Sequence, residues 1–147
     1  MNIYDDILDA TVVSLSATGH FTTGKYEELL AVRTDILSVY RVSLKGRLIL
    51  THEFKFEGRI TDLAVVPQKD SPLDCLLLCT SIAKISVVRY DEASNSIETL
   101  SLHYYEDSFK DRSILELAKE STMRVDPGKR CALLFNNDVI ALLPLQT

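Results

Sequence analysis

The chain has 147 residues, an ordinary length for one folded domain. Its apolar fraction of 46% and charged fraction of 25% are typical of folded soluble proteins and exclude a disordered chain. The net charge of −5 argues against a self-sufficient nucleic-acid binder, because neutralising phosphates requires an excess of Lys and Arg. The apolar runs reach about five residues, far short of the ~20 that span a bilayer, so no membrane association is expected.

Short runs rich in Val, Ile and Leu, each bounded by turn residues, predict an all-β chain. In chain order the predicted strands are Ala10–Ser16, Glu28–Arg33, Ile36–Val42, Leu48–Phe56, Ile60–Val66, Cys75–Thr80, Lys84–Tyr90, Ile97–His103, Met123–Asp126, Cys131–Phe135 and Val139–Leu145. In the fourth run, alternation predicts a half-buried strand with one apolar face made by Leu48, Leu50, Phe54 and Phe56. Ser113–Glu120 has apolar residues at helical spacing and predicts one short helix in a loop.

An internal repeat distinguishes among all-β architectures. Three segments read as an apolar strand, a short polar turn and a second apolar strand, namely Glu28–Arg41, Cys75–Tyr90 and Cys131–Pro144. A hairpin that recurs roughly every 50 residues favours β-propeller blades, with a sandwich as the alternative. Propellers close with about four to eight blades, and this chain has material for about three. We therefore expect it to be part of a longer protein.

Two local patterns are candidates for chemistry. Gly19–Lys25 satisfies the G-x-x-x-x-G-K pattern of a phosphate-binding loop, but Tyr26 stands where a Ser or Thr would hold Mg²⁺. A plain connection between strands is the favoured interpretation, and nucleotide binding is a minor alternative. Cys75 and Cys79 share one strand face about 13 Å apart, too far to share a zinc ion, which predicts buried thiols rather than a metal site. We expect no catalytic residues, cofactor or metal.

One segment combines aromatic and basic side chains. Its members are Tyr104, Tyr105, Phe109, Lys110 and Arg112. Aromatic rings beside cations can stack on single-stranded nucleic acid, although a loop that packs its own aromatic rings is the favoured interpretation, because the surrounding charge is mixed. These five residues are the candidate contacts with RNA or with a partner.

Several segments, taken in order, resemble a known family. They are Asp6–Val13, Glu27–Arg33, Thr99–Glu106, Met123–Gly128 and the pair Cys131-Ala132. The combination resembles the largest subunit of the cleavage and polyadenylation specificity factor, in its fungal form, over essentially the whole chain. The strand pattern alone would be shared with the large damaged-DNA-binding subunit and with the propeller subunit of splicing factor 3b.

The resemblance implies a large nuclear protein with three seven-bladed propellers and a C-terminal helical domain. Residues 1–147 would be the N-terminal portion of the first propeller of that longer multi-propeller protein. The implied function is a non-enzymatic scaffold in pre-mRNA cleavage and polyadenylation. Its partners would be a WD-repeat subunit and a zinc-finger subunit that read the polyadenylation signal, together with the poly(A) polymerase module. Pre-mRNA would be contacted indirectly or weakly, with direct RNA binding as the alternative.

Overall fold

The computed structural model describes residues 12–80, 84–104, 122–136 and 139–145. These residues form eleven β-strands. The strands are β1 Leu15–Gly19, β2 Glu28–Arg33, β3 Ile36–Val42, β4 Leu48–Lys55, β5 Ile60–Pro67, β6 Asp74–Thr80, β7 Lys84–Asp91, β8 Ser96–Tyr104, β9 Thr122–Val125, β10 Cys131–Asn136 and β11 Val139–Pro144. The predicted helix at Ser113–Glu120 lies outside the described residues.

The strands form three antiparallel sheets in which neighbours in sequence are neighbours in space. Sheet one is β1-β2-β3-β4, sheet two is β5-β6-β7-β8, and sheet three is β9-β10-β11. The first strands of consecutive sheets lie beside one another, β1 by β5 and β5 by β9. This confirms the all-β prediction and the repeated hairpins that favoured propeller blades. Within these residues, no helix is long and apolar enough to cross a membrane.

The apolar core lies between the sheets. One cluster joins sheets one and two and includes Leu76 and Leu78; the other joins sheets two and three and includes Leu77 and Cys79. Successive β6 side chains therefore point into opposite cores, and a strand covered on both faces reads as an unbroken apolar run. Each fully buried leucine contributes roughly 1.5–3 kcal/mol, so the middle sheet is held from both sides.

Close backbone approach and paired polar contacts set the spacing of sheets one and two. A Cβ added to Gly19 would lie 2.7 Å from Cγ1 of Val65, so only glycine allows β1 to pack this tightly against β5. Immediately after β1, the His20 amide donates to Asp74 Oδ2 at 2.7 Å, and the Asp74 amide donates to the His20 carbonyl at 2.7 Å. These contacts fix the loop after β1 against the start of β6.

Sheet three is attached through Asp62 of β5. Its Oδ2 accepts from the Met123 amide at 2.9 Å and from Nη1 of Arg124 at 3.3 Å. The carboxylate is largely buried, whereas the Arg124 side chain is mostly exposed. The buried amide contact therefore carries most of the restraint, since exposed ion pairs add only about 0–1 kcal/mol.

Two details of the predicted strands were wrong. The first strand was predicted at Ala10–Ser16 but begins at Leu15, where pairing with Val32 starts, and the exposed Val12 and Val13 precede it. In β4 the apolar face changes at Thr51, because the register shifts there: His52 lies opposite Val39, and Leu50 lies opposite Tyr40. Such a bulge reverses the alternation.

The bulge places Leu48 and Leu50 on the face opposite Phe54 and Phe56. Leu48 and Leu50 are exposed, as is Ile49 on the other face, whereas Phe54 and Phe56 are partly buried as predicted. The other predicted strands agree with the observed ones to within one or two residues at each end.

Candidate functional site

Tyr104 is the only one of the five predicted contact residues within the described part of the chain. It ends β8 opposite Lys84, its side chain is 62% exposed, and Nζ of Lys84 lies 5.7 Å from the ring centroid. This separation is within cation–π range, so the lysine and the ring form one exposed unit. The other four residues, Tyr105, Phe109, Lys110 and Arg112, lie outside the described residues.

An apolar groove of about 420 Å³ lies on the opposite face of β8, between sheets two and three. His103 lines it and its Nε2 lies 3.1 Å from the Ser101 hydroxyl. Cys75 also lines the groove, and burial, partly opposed by Arg89, raises the pKa of its thiol. A protonated thiol is a poor nucleophile, so the groove favours binding of apolar groups over covalent chemistry.

The loop that matches the phosphate-binding pattern is occupied by a side chain of the chain itself. Oε1 of Glu28 accepts from the amides of Phe21 at 2.9 Å and Thr22 at 2.7 Å, and its Oε2 accepts from the Thr22 hydroxyl. Glu28 is almost fully buried. An internal carboxylate thus takes the position that a phosphate would need.

The glycines and the following element in this loop also have structural explanations. A Cβ at Gly24 would lie 2.9 Å from Cβ of Pro72, so Gly24, like Gly19, allows close packing against sheet two. Strand β2 follows, whereas a phosphate-binding loop relies on the amides at the start of a helix. The geometry therefore supports the interpretation as a connection between strands.

Cys75 and Cys79 are both buried free thiols, as predicted. Burial raises the pKa of Cys79 to about 11, against a weaker opposing effect of Thr61. Cys131 is also free. Among the residues that the structure describes, no group of three or more His, Cys, Asp or Glu side chains is arranged to hold a metal ion.

Sequence reasoning missed a second exposed surface, at the hairpin between β3 and β4. The prediction placed Leu48 and Leu50 on a buried face, but Leu48, Ile49 and Leu50 are all exposed, so this end of β4 lies in solvent on both faces. The sequence does mark this hairpin by its charge. No Asp or Glu occurs between Asp35 and Glu53, whereas this stretch contains three basic residues, Arg41, Lys45 and Arg47.

Three stacked antiparallel meanders, joined in sequence order with their first strands adjacent, define the class of protein. This arrangement is that of consecutive β-propeller blades. A family model described as the RSE1/DDB1/CPSF1 first beta-propeller matches residues 12–147. The chain belongs to this family.

Three yeast relatives, each called Protein CFT1, match almost the whole chain. The Saccharomyces cerevisiae protein is 67% identical over 144 residues, which are 98% of this chain and 11% of that protein. The Candida glabrata protein is 48% identical over 154 residues, covering 100% of this chain and 11% of the relative. The Kluyveromyces lactis protein is 48% identical over 146 residues, covering 99% of this chain and 11% of the relative. These matches confirm the family resemblance predicted from the sequence.

Proposed function

We propose that this chain is part of a non-enzymatic scaffold subunit of the nuclear complex that cleaves and polyadenylates pre-mRNA. The observation that carries the proposal is the 67% identity to Protein CFT1 of Saccharomyces cerevisiae over 98% of the chain. The family description covers three kinds of protein, one of them the CPSF1 type to which the sequence resemblance points. High identity to the CFT1 proteins supports that branch and, with it, a role in mRNA 3′-end formation.

The proposed mechanism is positional. The sheets use their buried side chains against one another, so the outer strands and hairpins remain for other molecules. Packed sheets deform little, because interiors are close-packed, and surfaces fixed on them hold partners in a constant relation. The proposed partners are a WD-repeat subunit and a zinc-finger subunit that read the polyadenylation signal, and the poly(A) polymerase module.

We also propose that residues 1–147 are the N-terminal portion of the first propeller of a longer, multi-propeller protein. The chain spans 11% of the length of the curated relatives that it matches, and the matching family model is that of a first propeller. The activity and partners given above are those proposed for the whole protein.

Affinity purification of the full-length protein, tagged at its own locus, tests the scaffold role. After a nuclease treatment and a high-salt wash, polyadenylation subunits should co-purify in constant proportion. Recovery of spliceosomal or ubiquitin-ligase subunits in their place would assign the protein to another branch of the family. Recovery of no specific protein would exclude the scaffold role.

Direct RNA contact is the second candidate, and the exposed Tyr104 beside Lys84 is the observation that favours it. The proposed surface comprises Tyr104, Tyr105, Phe109, Lys110 and Arg112. Stacking of a base on Tyr104 would contribute about 1–3 kcal/mol, so Tyr104→Ala should weaken RNA binding by about fivefold or more. The matched control is Tyr104→Phe, which keeps the ring and should bind normally. Equal binding by all three proteins, with no dependence on salt, would exclude RNA contact here.

A further inference from the structure

The hairpin of residues 41–50, called the outer hairpin below, exposes an unusual amount of apolar surface. It consists of the end of β3, a turn at Gly46 and the start of β4. Its exposed apolar side chains, with Tyr26 beside them, are Val42, Leu44, Leu48, Ile49 and Leu50. Tyr26, Leu44 and Ile49 line a concavity of about 720 Å³. Adjoining apolar side chains in such numbers are uncommon on a free surface and mark contact sites.

The outer hairpin is also basic within an acidic chain. Its charged residues are Arg41, Lys45 and Arg47, and no Asp or Glu occurs anywhere from Ile36 to His52. The chain as a whole has a net charge of −5. Across the described part of the chain, none of the ion pairs involves these three cations. Their charge is therefore available to an external anion.

The backbone of β4 is available as well. Strand β4 ends the order β1-β2-β3-β4, and β3 is its one hydrogen-bonded neighbour among the described strands. Leu48, Ile49 and Leu50 are all exposed, so both faces of this end of β4 lie in solvent beside the edge. An unpaired edge with apolar side chains can accept an extended segment as an additional strand.

The corresponding hairpin of sheet two shows that the fold does not require this chemistry. Asp91 ends β7, and the turn that follows it, residues 92–95, contains the polar residues Glu92, Ser94 and Asn95. The same register shift recurs in that sheet, between Val87 and Val88. The repeated architecture thus accommodates an acidic, polar hairpin in one sheet and a basic, apolar one in the other.

We propose that the outer hairpin docks an extended, acidic segment of a partner protein. Carboxylates of the segment would lie against Arg41, Lys45 and Arg47, and its apolar side chains would cover Leu44 and Ile49. A second copy of the chain fits poorly, since two basic hairpins repel. RNA fits poorly too, because the exposed side chains are mainly aliphatic and offer bases little to stack on.

Site-specific photo-cross-linking of the full-length protein in its own cells tests the proposal. Leu44 is replaced by p-benzoylphenylalanine, and the matched control carries it at Ala93, which is exposed in the equivalent turn of sheet two. We expect Leu44 to cross-link to one partner segment that has more Asp and Glu than Lys and Arg and that carries apolar side chains. Cross-links to RNA, to a basic segment or to this protein itself would overturn the proposal. A photoreactive residue that is incorporated but forms no cross-link would also overturn it.

Charge reversal then tests complementarity, with a synthetic copy of the cross-linked segment as the probe. The double variant Arg41→Glu, Lys45→Glu should bind this peptide at least about tenfold more weakly than the unmodified protein does. Raising the salt concentration from about 50 to about 300 mM should weaken binding of the peptide to the unmodified protein. The matched control, Lys55→Glu with Lys69→Glu, makes the same change in net charge at exposed residues outside the hairpin and should bind within about twofold of the unmodified protein. Equal weakening by both pairs would contradict local complementarity. The proposed docking surface does not depend on the proposed role in mRNA 3′-end formation. The co-purification experiment tests that role separately.

Discussion

Adjacent leucines in β6 provide a direct test of the sheet stacking. Leu77 and Leu78 are both fully buried, but Leu78 packs in the cluster between sheets one and two, and Leu77 in the cluster between sheets two and three. Truncation to alanine removes buried contacts and leaves a cavity, at a cost of about 2–5 kcal/mol for each site. That cost corresponds to a rise in the local opening constant of about 30-fold to about 4,000-fold.

Hydrogen exchange of the full-length protein, followed by mass spectrometry, resolves where the opening occurs. Leu78→Ala should accelerate exchange mainly in β2 and β3, and Leu77→Ala mainly in β10 and β11, while β6 responds to both. Leu102→Ala in the outer strand β8 is the matched control: its side chain is 40% exposed, and its effect should stay below about 1 kcal/mol. If Leu78→Ala accelerated β10 and β11 as strongly as β2 and β3, the assignment of one core to each pair of sheets would be wrong.

Three further predictions concern polar and ionisable groups. Glu28→Ala should leave the amides of Phe21 and Thr22 unpaired and destabilise the loop by about 2–5 kcal/mol. Lys25→Ala should change neither stability nor function. Hydrogen exchange measures the stability of both variants, and growth of cells that depend on the protein measures function. Asp62→Ala should weaken the attachment of sheet three by about 1–3 kcal/mol and Arg124→Ala by less than about 1 kcal/mol, with exchange in β9 as the measurement. Burial raises the pKa of Cys79 to about 11. The stability that the Cys79 thiol contributes should therefore be lost as pH rises from about 9 through about 11. The melting temperature of the unmodified protein minus that of Cys79→Ala should accordingly shrink from about pH 8.5 to about pH 10.5.

Strand positions were largely predictable because apolar runs and turn residues are local signals. The run from Cys75 to Cys79 shows the strength of this signal, since a strand that is buried on both faces is apolar at successive positions. The first strand shows its limit. Val12 and Val13 have strong β propensity, yet the strand begins at Leu15 and extends to Gly19. The close approach of Gly19 to Val65 of another sheet is a tertiary contact that no local pattern contains.

The candidate site was less predictable for a related reason. Surface residues are chosen by what they contact, and most of those contacts lie outside the chain. Tyr104 was identified from its neighbours in sequence, but its pairing with Lys84 follows from β7–β8 register. The outer hairpin was missed because alternation assigned Leu48 and Leu50 to the face of Phe54. The bulge at Thr51 moves them off that face, and this end of β4 is exposed on both faces. The absence of acids over this stretch was visible in the sequence, but it acquires meaning only once the side chains are known to be exposed.

These observations explain how a repeated fold can carry a specific function. In β6, side chains on both faces are committed to neighbouring sheets, so a substitution there that preserves folding has to preserve apolar volume. The outer hairpins are under no such restriction, and the two complete four-stranded sheets differ most clearly there, one basic and apolar, the other acidic and polar. For a protein whose proposed role is to hold partners in place, the information about which partner binds where should therefore be found in the hairpins and outer strands. Replacing the turn of residues 43–47 with that of residues 92–95 removes Leu44, Lys45 and Arg47. This replacement should therefore weaken the proposed docking on the first sheet while leaving the exchange protection of both cores unchanged.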